Sequence, residues 1–186
     1  MGVNKLVGLE KERELTNEET LEVLVDDYWI NVKKLAYTYV KDWALAEDIT
    51  QEVFIKCYNN LERFRGDSSY KTWLYKITVN RCKDEFRSKW YRTLIFLDSA
   101  MGKSVNTSIS AEQSYLEKDE RQEFYELVLS LPMKYREVII LFYYEEMSID
   151  EIHKLLETNI NTVKTRLKRG KLLLKNMVPG GSFHGR

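Results

Sequence analysis

The apolar positions of this 186-residue chain recur at helical spacing along most of its length. Leu21, Leu24, Val25, Tyr28, Val32, Leu35, Ala36 and Tyr39 fall mostly three or four apart, which puts them on one side of a helix. Ala46, Ile49, Val53, Cys57 and Leu61 predict a second helix from about Leu45 to Leu61. The stretch RGDSS (65–69) breaks the pattern, and its Ser or Asp can cap a third helix from about Tyr70 to Tyr91. No alternating strand pattern occurs.

Residues 93–118 change character. The apolar island LIFL (94–97) is expected to pack back on the preceding helices, and DSAMGKSVNTSIS after it reads as a polar linker. Helical spacing resumes near Asp119, where Phe124, Leu127, Val128 and Leu131 share a face that Pro132 ends. Another helix is predicted from about Lys134 to Tyr144. Ser148-Ile-Asp-Glu151 then matches a capping box: the hydroxyl takes a free amide and the carboxylate reaches back to the cap. A short helix to about Leu156, a tight turn and a long basic helix over NINTVKTRLKRGKLLLK (159–175) complete the order. Short helix, tight turn, basic helix is the helix-turn-helix layout, whose second helix lies in the DNA major groove. The expected fold is all-α: two small helical domains joined by a flexible linker, the second with a helix-turn-helix. The boundaries are a polar N-terminal extension at 1–17, a first domain at 18–92, the linker at 93–118, a second domain at 119–178 and a disordered tail at 179–186.

Charge sharpens this picture. The chain holds 29 Lys+Arg and 29 Asp+Glu, yet no acidic residue follows Glu157. Residues 63–92 also collect nine bases against three acids. Two basic surfaces on two domains suit a protein that grips DNA at two separated places. On the last helix Ile160, Val163, Leu167 and Leu174 make an apolar stripe, with Lys164, Lys168, Lys171 and Lys175 roughly a quarter turn away. Such a face would hold phosphates, and residues near the helix start would read bases. A merely solvated Lys/Arg face is the competing reading, weakened by the lack of acidic partners at helical spacing. On the third helix Lys76, Asn80, Lys83 and Arg87 share a face, interleaved with Trp73, Tyr75, Trp90 and Tyr91. Cations with rings suit single-stranded DNA, because bases stack while cations follow the backbone. Trp73 is as well explained by the core.

Other chemistry finds little support. Cys57 and Cys82 cannot build a disulfide framework or a zinc site and fit a reducing cytoplasm. No apolar run approaches a membrane span and no signal-peptide pattern appears, so no membrane contact is expected. Asp48, Gln51 and Glu52 share a helix face, but nothing nearby suggests a dehydrated pocket, so a protein-docking surface is the better reading than acid–base catalysis. Glu52 has Lys56 at i+4 as a solvated partner. With no phosphate loop, triad or paired metal half-site, neither an enzyme nor a cofactor is expected. A stand-alone helix-turn-helix regulator on duplex DNA remains the alternative; it would need neither the acidic face nor the single-strand surface.

Two blocks carry a resemblance. AEDITQEVFIKCYNNLERFRGDSSYKTWLYKITVNRCKDEFR resembles region two, and LPMKYREVIILFYYEEMSIDEIHKLLETNINTVKTRLKRGKLLLK resembles region four, of bacterial sigma factors of the extracytoplasmic-function (ECF) group. The resemblance covers about Glu18 to Met177. It implies a factor that binds core RNA polymerase, recognises promoter DNA as duplex and as melted strand, and is held by an anti-sigma factor. Through it, Asp48, Gln51, Glu52 and Phe54 fall at the polymerase-docking positions. Phe64, Arg65, Gly66, Asp67, Ser68, Ser69 and Tyr70 match the loop that captures a flipped base of the minus-ten element. Lys71, Asn80, Arg81, Lys83 and Arg87 match positions that hold the melted strand and duplex edge. Lys164, Thr165, Lys168 and Arg169 match the minus-thirty-five recognition positions, with Arg166 on the phosphate backbone. Three residues depart from the pattern: His153 for the preferred Ala, Glu157 for a common Gly in the turn, and Thr158 for an apolar turn residue.

Overall fold

A computed structural model describes residues 15–99 and 120–177. The expectations for most of the N-terminal extension, for the linker beyond residue 99 and for the tail lie outside the described residues.

The first unit is three helices. Helix α1 (Asn17–Val40) starts on a capping box: the Glu19 amide donates to Thr16 Oγ1 at 3.2 Å, and the Thr16 amide donates to the Glu19 carboxylate at 2.9 Å. The Thr16-x-x-Glu19 signal is plain in the sequence, and it starts the helix earlier than apolar spacing alone predicts. Asp42 caps α2 (Trp43–Tyr58) by accepting from the Leu45 amide at 3.1 Å. A single 3-10 turn (Leu61–Arg63) and a bend at Gly66, with φ 73°, lead to α3 (Tyr70–Ser99). Ser69 caps α3, its Oγ accepting from the Thr72 amide at 3.2 Å. The helix extends past Tyr91 to Ser99 and takes in residues 94–97, whose packing lies outside the described side chains. Helix propensity explains the extension, since no Gly or Pro interrupts 67–101.

The predicted inward positions meet in one core. Leu24, Val32 and Leu35 from α1, Ala46, Ile49 and Val53 from α2, and Leu74, Tyr75 and Val79 from α3 are all buried. Cys57 and Cys82 lie in the same core, free and unbonded, and burial pushes both thiols up to about 12. They act as small apolar side chains.

The second unit is α4 (Glu120–Ser130), α5 (Met133–Ile139) running into a π turn (Ile140–Tyr144), α6 (Ile149–Leu156) and α7 (Ile160–Met177). Pro132 stands at the start of α5, as its missing N–H allows. The Ser148–Glu151 capping box forms as read: the Glu151 amide donates to Ser148 Oγ at 3.2 Å and the Ser148 amide to the Glu151 carboxylate at 2.8 Å. Glu157 ends α6 in the left-handed region, φ 51° and ψ 44°. The apolar stripe of α7 packs inward through Val163, Leu167 and Leu174. Gly170 is buried with it, and a Cβ there would lie 3.0 Å from Ile139 Cγ1. Its lack of a side chain sets how closely α7 approaches α5.

The two units touch: α3 packs on α6, and α1 on α5. The sequence contained no signal for this contact, which brings the basic side of the first unit against the second.

Candidate nucleic-acid interfaces

Helix α7 presents Lys164, Thr165, Lys168 and Arg169 to solvent. Among the described residues no carboxylate pairs with any of them. Thr165 bonds its own helix, Oγ1 donating to the Asn161 carbonyl at 2.8 Å. Arg169 hydrogen-bonds the Tyr135 phenol and lowers its pKa. Thr165 and Arg169, with Asn161 and Thr162, border an open cleft of roughly 390 Å³ between the starts of α5 and α7. Lys171 lies over the Tyr143 ring at 5.1 Å. Arg166 differs from its neighbours: it is turned inward, and its Nη1 donates to Glu137 Oε1 at 2.8 Å.

The 64–73 region gathers a ring cluster. Phe64 stacks on Tyr70 at 4.4 Å and lies 5.0 Å from Trp73. Arg65 and Asp67 form an exposed pair at 3.2 Å, and Gly66 and Ser68 are also exposed. Trp73 is half-buried, between the core and stacking readings.

The cations of α3 do not share one fate. Asn80 and Arg87 are exposed, with Arg87 paired only to Asp84 at 3.2 Å. Arg81 is held by Glu52, through two hydrogen bonds, and by Glu85 at 3.1 Å, so it bridges α3 to the acidic face rather than standing free. That pairing lowers the Glu52 pKa and replaces the Glu52–Lys56 pair expected from spacing. Three lysines reach the second unit. Lys71 Nζ donates to the Glu145 carbonyl at 2.8 Å and lies 3.4 Å from its carboxylate. Lys76 Nζ donates to the Leu155 carbonyl at 2.9 Å and lies 2.7 Å from the Glu157 carboxylate. Lys83 lies 3.9 Å from the Glu137 carboxylate.

Glu137 and Glu145 are buried carboxylates. Glu137 accepts from Tyr39 Oη at 3.2 Å and from Arg166, and burial raises its pKa against the opposing pull of Lys83 and Arg166. Glu145 accepts from the Tyr75 hydroxyl, whose own pKa burial and this carboxylate raise. Sequence reasoning found neither glutamate, since Tyr39 and Lys83 meet Glu137, and Tyr75 and Lys71 meet Glu145, only once the two units pack together.

On α2, Asp48, Gln51 and Glu52 are exposed as expected. Ile55, one turn further along the same face, is 62% exposed. It was missed because an apolar residue off the core stripe has no partner to mark it. Phe54 is a correction: it is buried and stacks on Trp29 at 5.6 Å, so it positions α2 and offers no surface contact.

No helix among the described residues is long and apolar enough to cross a membrane. Residues 24–92 match the family model Sigma-70 region 2, and residues 121–174 match Sigma-70, region 4. The chain is 32% identical over 171 residues to the ECF RNA polymerase sigma factor SigW of Bacillus subtilis, covering 87% of this chain and 90% of that protein. It is 29% identical over 169 residues to the ECF RNA polymerase sigma-E factor of Escherichia coli K12, covering 87% and 88%. The fold is similar to the sigma factor RpoE of Bartonella quintana, solved in complex with the anti-sigma factor NepR (TM-score 0.64, 23% identity, 82% of this chain and 92% of that one). It is also similar to CnrH, solved with the cytosolic domain of CnrY (TM-score 0.59, 20% identity, 86% and 88%). Two helical units in the order region two then region four, each matched by its own model, and a relative aligned over nearly its whole length lead to one conclusion: the chain belongs to the ECF group of RNA polymerase sigma factors.

Proposed function

We propose that this chain binds core RNA polymerase through Asp48, Gln51, Glu52 and Ile55 and directs initiation at promoters with two spaced elements. Residues Phe64 to Tyr70, with Lys71, Asn80, Lys83 and Arg87, hold the melted minus-ten strand. Lys164, Thr165, Lys168 and Arg169 read the minus-thirty-five duplex, and Arg166 turns to a phosphate when it leaves Glu137. The chain performs no covalent chemistry; it positions DNA for the polymerase, in the cytoplasm, and an anti-sigma protein controls it. The observation that carries the reading is the row of exposed cations on α7 that lacks carboxylate partners. The face geometry of α2 supports the docking role, because Asp48, Gln51, Glu52 and Ile55 stand exposed together on one side of the helix. Capturing a base costs a few kcal/mol of unstacking, which the Phe64–Tyr70–Trp73 ring cluster can offset by stacking.

Run-off transcription with purified core polymerase on genomic fragments tests this. Initiation at a discrete set of sites is expected; no initiation on any fragment, with tight duplex binding by the free chain, would favour a stand-alone regulator. Lys83→Ala with Arg87→Ala should weaken promoter opening at least tenfold, from the roughly 1 kcal/mol or more that each charged contact supplies, and leave core binding within twofold. Equal loss of both would reject the split of roles.

A further inference from the structure

Arg81 links α3 to α2, and two edges of its guanidinium are engaged. Nη2 donates to Glu52 Oε1 at 3.2 Å and Nε donates to Glu52 Oε2, two bonds from one planar fork to one carboxylate. On the other edge Nη1 donates to Glu85 Oε2 at 3.1 Å, about one turn further along α3. A phosphate approaching this guanidinium would meet a carboxylate on either side, so like charge opposes the strand contact that the motif position alone suggests. Each partner also favours the other's charged form: Arg81 lowers the Glu52 pKa, and Glu52 raises that of Arg81.

Glu52 faces outward all the same. Its side chain is 51% exposed although both oxygens accept from Arg81, and a carboxylate has lone pairs left for a second donor. Gln51 and Ile55 stand exposed beside it on α2. A glutamate without a partner samples several rotamers, and a binding protein must freeze them. Here the fork holds the carboxylate in one place before any protein arrives. The Arg81 side chain is only 27% exposed.

Resting on the docking role proposed above, we infer that Arg81 is a positioning residue for polymerase binding: steadied by Glu85, it fixes the Glu52 carboxylate in the orientation that core polymerase meets, and it does not hold DNA. The same link ties the docking face of α2 to α3, which carries the exposed Asn80 and Arg87, so the offset between docking surface and strand surface is set within the free chain.

The test measures binding of the full chain to purified core polymerase, by competition against the fluorescein-labelled parent. Freezing one rotamer-rich side chain is worth about two- to tenfold in affinity, so Arg81→Ala should weaken core binding by that factor. In a Glu52→Ala background the same change should alter core affinity by less than about twofold, a silence that a general loss of stability would not give. At saturating core, permanganate reactivity of unpaired thymines, at a promoter found by run-off transcription, should stay within about twofold of the parent. Unchanged or tighter core binding overturns the proposal, and so does an equal loss with and without Glu52. Poorer opening at saturating core, with core affinity intact, also overturns it and returns Arg81 to the strand. Should Arg81→Ala fail to fold, Arg81→Lys carries the same comparison, since it keeps the charge and the stem but loses the fork. A loss of about twofold or more that disappears without Glu52 supports the positioning role, and no loss overturns it. Glu52→Ala by itself separates the two readings. Unchanged core affinity there removes Glu52 from the docking surface, and the positioning role with it; weaker binding there, with none from Arg81→Ala, removes the positioning role alone.

Discussion

The Glu157 carboxylate lies 2.7 Å from the Lys76 ammonium, so the turn residue between α6 and α7 pairs with a lysine on the basic face of α3. Glu157 does this from a left-handed backbone, φ 51°, where glycine is the usual residue. The hydrogen bond from Lys76 holds the Glu157 carboxyl below the usual carboxylate range.

Glu157→Gly should therefore stabilise the second unit by up to about 1 kcal/mol, from relief of the backbone strain. Glu157→Ala keeps the strain and loses the pair, so it should lower stability by a few tenths of a kcal/mol, as expected for an exposed pair. Thermal unfolding of both variants decides: a lower melting temperature for Glu157→Gly than for Glu157→Ala would remove the strain argument.

Gly170→Val should cost about 1–3 kcal/mol and weaken duplex binding. The new Cβ meets Ile139 Cγ1 at 3.0 Å, with Tyr135 Cβ behind it at 3.5 Å, so α7 must move off α5. Moving α7 also shifts Arg169 against Tyr135. Denaturant unfolding and fluorescence anisotropy on promoter duplex check both effects; a wild-type melting point would mean that Ile139 gives way cheaply.

Replacing Lys164, Lys168 and Arg169 by Ala should reduce duplex affinity and flatten its salt dependence. Each lost phosphate contact lowers the slope of log affinity against log salt by about 0.9. A lost contact to a base edge costs affinity with little change in slope. Anisotropy titrations across salt concentrations therefore sort these side chains into phosphate contacts and base contacts, and an unchanged affinity would withdraw α7 as the duplex reader.

Glu137 gives a pH signature. Burial raises its folded-state pKa above 4.5, so the folded chain binds the proton more tightly than the unfolded chain. Its contribution to stability is fully present below the unfolded value and is lost as pH rises through the raised folded value. Tyr39, Lys83 and Arg166 face it. Glu52 and Glu151, with lowered pKa values, act in the opposite direction at lower pH, and so does Glu157. The difference between the parent and Glu137→Gln should isolate the term: the parent should lose stability relative to the variant as pH rises above about 4.5. A flat difference from pH 4 to 8, in stability measured by urea unfolding at each pH, would contradict the buried carboxylate.

The helices, their order and the helix-turn-helix were legible because they rest on information within one or two turns. The Ser148–Glu151 box, the stripe of Val163, Leu167 and Leu174 and the exposed acids of α2 need only residues three or four apart to be recognised. The same logic would have found the Thr16–Glu19 box. Local spacing also determined that Lys164 and Lys168 share one exposed side of α7. What the tertiary structure alone decided is which charges remain free. Lys71, Lys76 and Lys83 read as equivalent to Lys164 or Lys168 by type and spacing, but the docked second unit supplies each with a carboxylate, while Arg166 finds Glu137 across its own unit. Phe54 and Ile55 sit side by side in the chain, but only Phe54 is buried, because the packing of α1 on α2 brings Trp29 against its ring. An ion pair between units depends on how two packed bodies meet, and that is set by the sum of many weak side-chain contacts far apart in the chain, none of which leaves a periodic mark in the sequence.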